Sequence, residues 1–213
     1  MLSINSNYAS AFASNAANTA SKGLDSAMEK LSTGSRINYA KDDAAGQAIS
    51  TRLSAEIQGL AMASRNAADA QSLIDTAEGA MQETHTVLLR MRELAVQSAN
   101  GTLTDADRQH TDAEFKQLRN EMDRISNNTK WAGQNLLDGR SFSFQVGEGA
   151  NQTIDVTIKN FAATAPAISS VGQAVSTAAK AQLSIARLDT AIANVSSERG
   201  KLGAVSNRLT STM

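Results

Sequence analysis

No cysteine occurs in this chain, which removes disulfides and thiolate metal sites from consideration. Proline is almost as rare: a single residue, Pro166, leaves long stretches with no helix breaker. Aromatic side chains number five Phe, two Tyr and one Trp, so much of the 41% hydrophobic content is alanine, and a conventional aromatic-rich core is excluded. An excess of either charge is also lacking. A formal net charge of −1 gives no concentrated basic surface for neutralising phosphates, so no nucleic-acid partner is expected. Every apolar run is broken by Asn, Ser or charge before it could span a bilayer, so no membrane partner is expected either. The N-terminus has neither the basic region nor the apolar stretch of a secretory signal peptide, and export would need another route.

What the chain does have is heptad order. Between Gln47 and Asn100, residues at seven-residue spacing read Leu53, Leu60, Ala67, Ile74, Met81, Leu88 and Ala95 without a polar member. A neighbouring row runs Leu73, Ala80, Val87 and Leu94, and a third, mostly small, runs Ala63, Ala70, Ala77 and Met91. At 100° per residue these rows cover an arc of roughly 100°, the width of a helix facing a bundle. The row Ser64, Gln71, Glu78, His85 and Arg92 is polar throughout. The spacing predicts one helix over 47–100, roughly 80 Å long at 1.5 Å per residue, and with it a rod.

The rest of the chain divides by period. Met1 to Ser21 contains no charged side chain, and is mostly Ala, Ser and Asn around Leu2, Ile4, Tyr8 and Phe12. Too poor in apolar groups to fold alone, it is expected to order against a partner. Leu24, Met28 and Leu31 predict a short helix from about Ser21 to Ser32, ended by Gly34, with an irregular linker to Gly46. Thr104 followed by Asp107 suggests a capping box, and Phe115, Leu118, Met122 and Ile125 predict an antiparallel helix over 105–127. Thr129 to Asp138 reads as a loop. The period then becomes two, with Phe142, Phe144 and Val146 facing Ile154, Val156 and Ile158 in a β-hairpin over 141–160, and Pro166 marking its exit. Helical spacing returns over 176–213 in Ile185, Leu188, Ile192, Val195, Leu202 and Leu209, interrupted by Arg199 and Ser206. The expected fold is mainly α: a rod-like antiparallel bundle of long helices with a small hairpin, a terminal segment over 1–40 and a rod domain over 41–213.

Three motifs in this order resemble bacterial flagellin. Leu31-Ser32-Thr33-Gly34-Ser35-Arg36-Ile37-Asn38 with Ala40-Lys41-Asp42-Asp43-Ala44-Ala45-Gly46 is similar to its N-terminal signature. Arg92 to Thr102 resembles a second, and Gly203-Ala204-Val205 with Asn207-Arg208-Leu209 resembles the start of its C-terminal region. The resemblance implies a secreted filament subunit of the bacterial flagellum, with itself, the flagellar export apparatus and a secretion chaperone as partners. A hook–filament junction protein or a flagellin-like surface binding protein is the alternative. It implies assembly roles for Leu24, Met28, Leu31, Arg36, Asp42, Asp43, Asn207 and Arg208. It also implies a surface for Toll-like receptor 5 at Arg90, Glu93 and Leu94, joined by Glu114 from the adjacent helix, although the family usually has Gln where this chain has Leu89. Two departures are visible: only about fifteen residues separate Phe161 from Ser176, so the variable outer domain is essentially absent, and the terminal helix expected beyond Met213 is missing, as in a truncated chain.

No cofactor, metal or enzymatic activity is expected. His85 and His110 lie on different helices without a ligating neighbour and are expected at the surface. Asp42-Asp43 beside Lys41 reads as a helix-start and salt-bridge element, not an acid/base pair. Asn151-Gln152-Thr153 fits a glycosylation acceptor, a weak signal in this context.

Overall fold

The computed structural model describes residues 7–162 and 174–213, so the expectations placed on Met1 to Ser6 and on Pro166 lie outside the described residues. The elements run α1 (Tyr8–Thr33), α2 (Ala44–Ala99), α3 (Asp105–Asn128), β1 (Lys130–Trp131), β2 (Gln134–Asn135), β3 (Ser141–Gln145), β4 (Thr153–Thr157) and α4 (Ala178–Thr210). The chain is mainly α, and it divides into two compact units, Met1–Gln58 and Gly59–Met213, with the boundary inside α2.

In the first unit α1 begins well before Ser21. Leu24, Met28 and Leu31 marked only the part with an apolar spacing, whereas Ala9, Ala11, Ala13, Ala16, Ala17 and Ala20 carry strong intrinsic helix preference. The Asn7 side chain caps the start by accepting from the Ser10 N–H at 3.1 Å, and Gly34 ends the helix in the left-handed region at φ 67°. No residue of α1 is buried.

The turn that follows is closed by its two aspartates. The Asp42 carboxylate accepts from the N–H of Tyr39 at 3.1 Å and of Asn38 at 3.3 Å, and the Tyr39 bond in particular holds its carboxyl below the usual range. Asp43 precedes α2 and accepts from the Gly46 N–H at 2.8 Å, an N-cap. Arg36 reaches the same carboxylate at 3.7 Å. A Cβ at position 46 would stand 2.5 Å from Asp43 Oδ2 and 2.9 Å from Ile37 Cδ1, so the spacing Asp43-Ala44-Ala45-Gly46 is a steric requirement of this cap.

In the second unit the three heptad rows of α2 become core. Ala67, Ala70, Leu73, Ile74, Ala77, Met81, Leu88, Met91, Leu94 and Ala95 are buried against Phe115 and Met122 of α3, the β-segments and Leu188, Val195, Leu202 and Leu209 of α4. Leu53 and Leu60, which open the first row, remain 47% and 54% exposed. Burial of the stripe therefore starts only where α3, the hairpin and α4 cover it.

The polar row of α2 has a counterpart on α4. Gln71 exchanges hydrogen bonds with Ser206 at 2.9 and 3.1 Å, and Glu78 pairs with Arg199 at 3.2 Å. Further along, Arg92 pairs with Asp189 at 2.6 Å. The residues that interrupt the apolar pattern of α4 are thus rungs of an antiparallel ladder that sets the register of the two helices, as polar seam residues do in coiled coils. Glu78→Arg, which opposes Arg199 with like charge, should lower the thermal midpoint by roughly 2–4 °C, and adding Arg199→Glu should recover most of it. A double variant as unstable as the single one, read by circular dichroism, would show that the pair does not set register.

The capping box of α3 forms as the sequence implies, with the Thr104 side chain accepting from the Asp107 N–H and the Asp107 carboxylate from the Thr104 N–H. β3 and β4 pair antiparallel with Phe142 opposite Val156 and Phe144 opposite Ile154, the apolar face turned to the core. The loop expected over 129–138 contains a second, minimal hairpin, β1–β2. Its turn residues Ala132 and Gly133 both have positive φ, at 47° and 81°, which suits a primed two-residue turn. Two-residue strands are too short to show alternation in the sequence.

Candidate functional site

The implied interface residues divide between surface and core. Arg90, on the solvent side of α2, is held by two carboxylates. Its Nε and Nη2 donate to Glu114 Oε1 of α3 at 3.0 and 2.8 Å, while Nη1 donates to Glu93 Oε2 at 3.0 Å. These bonds, Glu114 first, raise the guanidinium pKa further. All three side chains are about half exposed or more, so the cluster shapes a surface far more than it stabilises the fold.

Leu94 corrects the expectation. It is only 2% exposed, because it belongs to the heptad row of Leu73 and Val87, which faces the core. A partner cannot touch its side chain. The apolar groups beside the charged cluster are instead Leu89 and Val96, 43% and 49% exposed and two helical turns apart on one face. A partner resting here meets an Arg fork flanked by aliphatic patches.

Sequence reasoning missed a buried polar network at the end of the second unit. Arg108, in the first turn of α3, donates from Nε to the Ser98 carbonyl at 2.8 Å and from Nη2 to the Asn100 carbonyl at 2.9 Å, closing the open end of α2. Its Nη1 pairs with Asp105 at 2.8 Å. One turn further, buried Asp112 accepts from the Val175 N–H at 2.7 Å and pairs with Lys116 at 2.7 Å. A signal existed: Arg108 shares a heptad row with Phe115 and Met122, so a charge sits on the core-facing stripe of α3.

Of the assembly residues, Leu24, Met28 and Leu31 are 62%, 61% and 83% exposed. Arg36, Asp42 and Asp43 build the turn before α2, and Asn207 and Arg208 lie exposed near the end of α4. His110 is exposed, but His85 is half-buried, because its row is the one that borders α4. Among the described residues no three His, Cys, Asp or Glu side chains are grouped to hold a metal ion, and no helix is long and apolar enough to cross a membrane.

Residues 4–141 match the family described as the bacterial flagellin N-terminal helical region. The B-type flagellin of Pseudomonas aeruginosa is 48% identical over 166 residues, which span 77% of this chain but 34% of that protein. The flagellin of Halalkalibacterium halodurans is 43% identical over 189 residues, 88% of this chain and 70% of that one. The crystal structure of Bacillus cereus flagellin superposes with a TM-score of 0.61 at 33% identity, covering 69% of this chain and 85% of that chain.

Proposed function

The chain belongs to the bacterial flagellin family, and from that membership we propose that it is a structural subunit that polymerises into the flagellar filament and serves motility outside the cell. The observation that carries this reading is the first unit. It has no buried residue among those described, yet it presents Tyr8, Phe12, Leu24, Met28, Leu31, Ile49, Leu53 and Ile57 to solvent. Apolar side chains arrayed at that density call for cover, and a polymer of identical copies supplies it. On this reading the chain leaves the cell through the flagellar export apparatus, escorted by a secretion chaperone, and Arg36, Asp42, Asp43, Asn207 and Arg208 serve the fit between copies.

Immunogold labelling with antibodies raised against this chain tests the proposal. Decoration along the whole filament is the expected result. Labelling confined to the boundary of hook and filament would replace it with the junction reading, and labelling of the cell surface alone with the surface-binding reading.

The same membership supports a second role, recognition by Toll-like receptor 5 through the Arg90, Glu93 and Glu114 surface, with buried Leu94 holding the helix face in place beneath it. Glu114→Arg should repel Arg90, open the fork and weaken receptor signalling by about tenfold, which corresponds to roughly 1.4 kcal/mol. A reporter-cell response unchanged by that substitution would remove the surface from the account.

A further inference from the structure

A groove of about 720 Å³ runs between α2 and the two hairpins, bordered by Asn66 and Asp69 on one side and Trp131, Phe144 and Gln145 on the other. The Asn66 amide is already committed, donating to the Gln145 carbonyl at 3.0 Å and tying helix to hairpin. Asp69, close to one turn further along α2, is exposed and makes no hydrogen bond or ion pair among the described residues. Arg65, four residues earlier on α2, does not pair with Asp69 either.

The aromatic walls are fixed in place. Trp131 directly precedes the tight Ala132-Gly133 turn, and Phe144 lies opposite Ile154, which is 2% exposed. Among the described residues no basic side chain lines the groove. A carboxylate without a partner beside an indole and a phenyl ring is chemistry for a cation carried on an apolar stem. The negative faces of the rings attract the charge, the groove wall covers the stem, and the carboxylate takes the hydrogen bonds.

We infer that this groove binds an arginine or lysine side chain presented by a second copy of the chain. The inference rests on the filament reading for the identity of the occupant, since a polymer brings identical surfaces together at high local concentration. The chain carries suitable donors: Arg187 on α4 and Lys159 after β4 are exposed and unpaired among the described residues. A guanidinium suits such a lining better than an ammonium, because its plane stacks on an aromatic face and its fork matches a carboxylate.

The experiment has two arms, and the chain contains its own reporter, because Trp131 is the only tryptophan. In the first arm, Trp131 emission from the intact chain is titrated at low salt with acetyl-arginine amide and with its neutral isostere acetyl-citrulline amide. Saturable change with the arginine compound alone, weakened about tenfold by Asp69→Asn, is the expected result. Equal responses to both compounds, or a response indifferent to Asp69→Asn, overturn the cation site; Arg65→Ala, which leaves the groove intact, should titrate like the parent.

The second arm follows incorporation of the chain into filament fragments by sedimentation. The expected result is about a tenfold lower uptake of the Asp69→Asn variant at unchanged helicity. Uptake equal to the parent's overturns the second copy as occupant. Failure of the parent itself to be incorporated overturns the filament occupant, while the first arm still judges the groove.

Discussion

Arg108→Ala is expected to destabilise the second unit by about 3 kcal/mol or more. The guanidinium is 9% exposed and satisfies two carbonyls at the end of α2, those of Ser98 and Asn100. Ser98 is fully buried, so its carbonyl has no solvent to turn to when the arginine is lost. Charge-assisted bonds of this kind contribute roughly 1.5–3 kcal/mol each, and the orphaned acceptor adds its own desolvation penalty. For a chain of this size the thermal midpoint should fall by roughly 6–12 °C. Urea unfolding followed through Trp131 fluorescence and helical circular dichroism would measure it. Arg108→Lys, which keeps the charge but not the fork, should fall between. A loss below about 1 kcal/mol would mean that water replaces the guanidinium at both carbonyls.

The second large effect concerns assembly and leaves the monomer alone. Leu24→Asp, Met28→Asp and Leu31→Asp together should reduce the subunits recovered in filaments sheared from cells at least a hundredfold. The three side chains are 62%, 61% and 83% exposed, so the substitutions cost the isolated fold little. Buried in a polymer they would each place a carboxylate in apolar contact, at a cost of several kcal/mol apiece, and each 1.4 kcal/mol is a factor of ten. Thermal unfolding of the second unit should be unchanged, since these residues belong to the first. Filaments of normal yield from the triple variant would show that this face of α1 is not covered on assembly.

What was legible in the sequence was whatever repeats. The heptad rows of α2 and α4, the switch to period two in the hairpin and the Thr104–Asp107 box each express one local geometry over several residues, and the structure places them close to the expected bounds. The motifs around Arg36 to Gly46 and Arg92 to Thr102 carried the family with them. Less legible were features decided by a single residue or by a distant one. The onset of α1 depends on alanine propensity and one asparagine cap, not on an apolar stripe. β1 and β2 are made by a turn. Leu94 lies in a core row, so the heptad pattern and the role implied by the resemblance pointed in different directions, and burial follows the pattern. The row Arg108, Phe115 and Met122 shows a charge on the core-facing stripe of α3, but not what satisfies it, because its acceptors are backbone carbonyls at the end of another helix. The same holds for Arg199 and Ser206, whose meaning appears only once Glu78 and Gln71 stand opposite.

That pairing also constrains how chain length can change. Because Gln71 meets Ser206 and Glu78 meets Arg199 in step, seven residues gained on one helix are matched by seven on the other, in the opposite direction. An insertion of four residues between the rungs of α2 would move Glu78 about 40° around its helix while leaving Arg199 where it is, like a stutter in a coiled coil. Viable length variants of this bundle should therefore gain or lose whole heptads in α2 and α4 together, and indels of other sizes should collect where no rung spans them, in the connections beyond the helix ends.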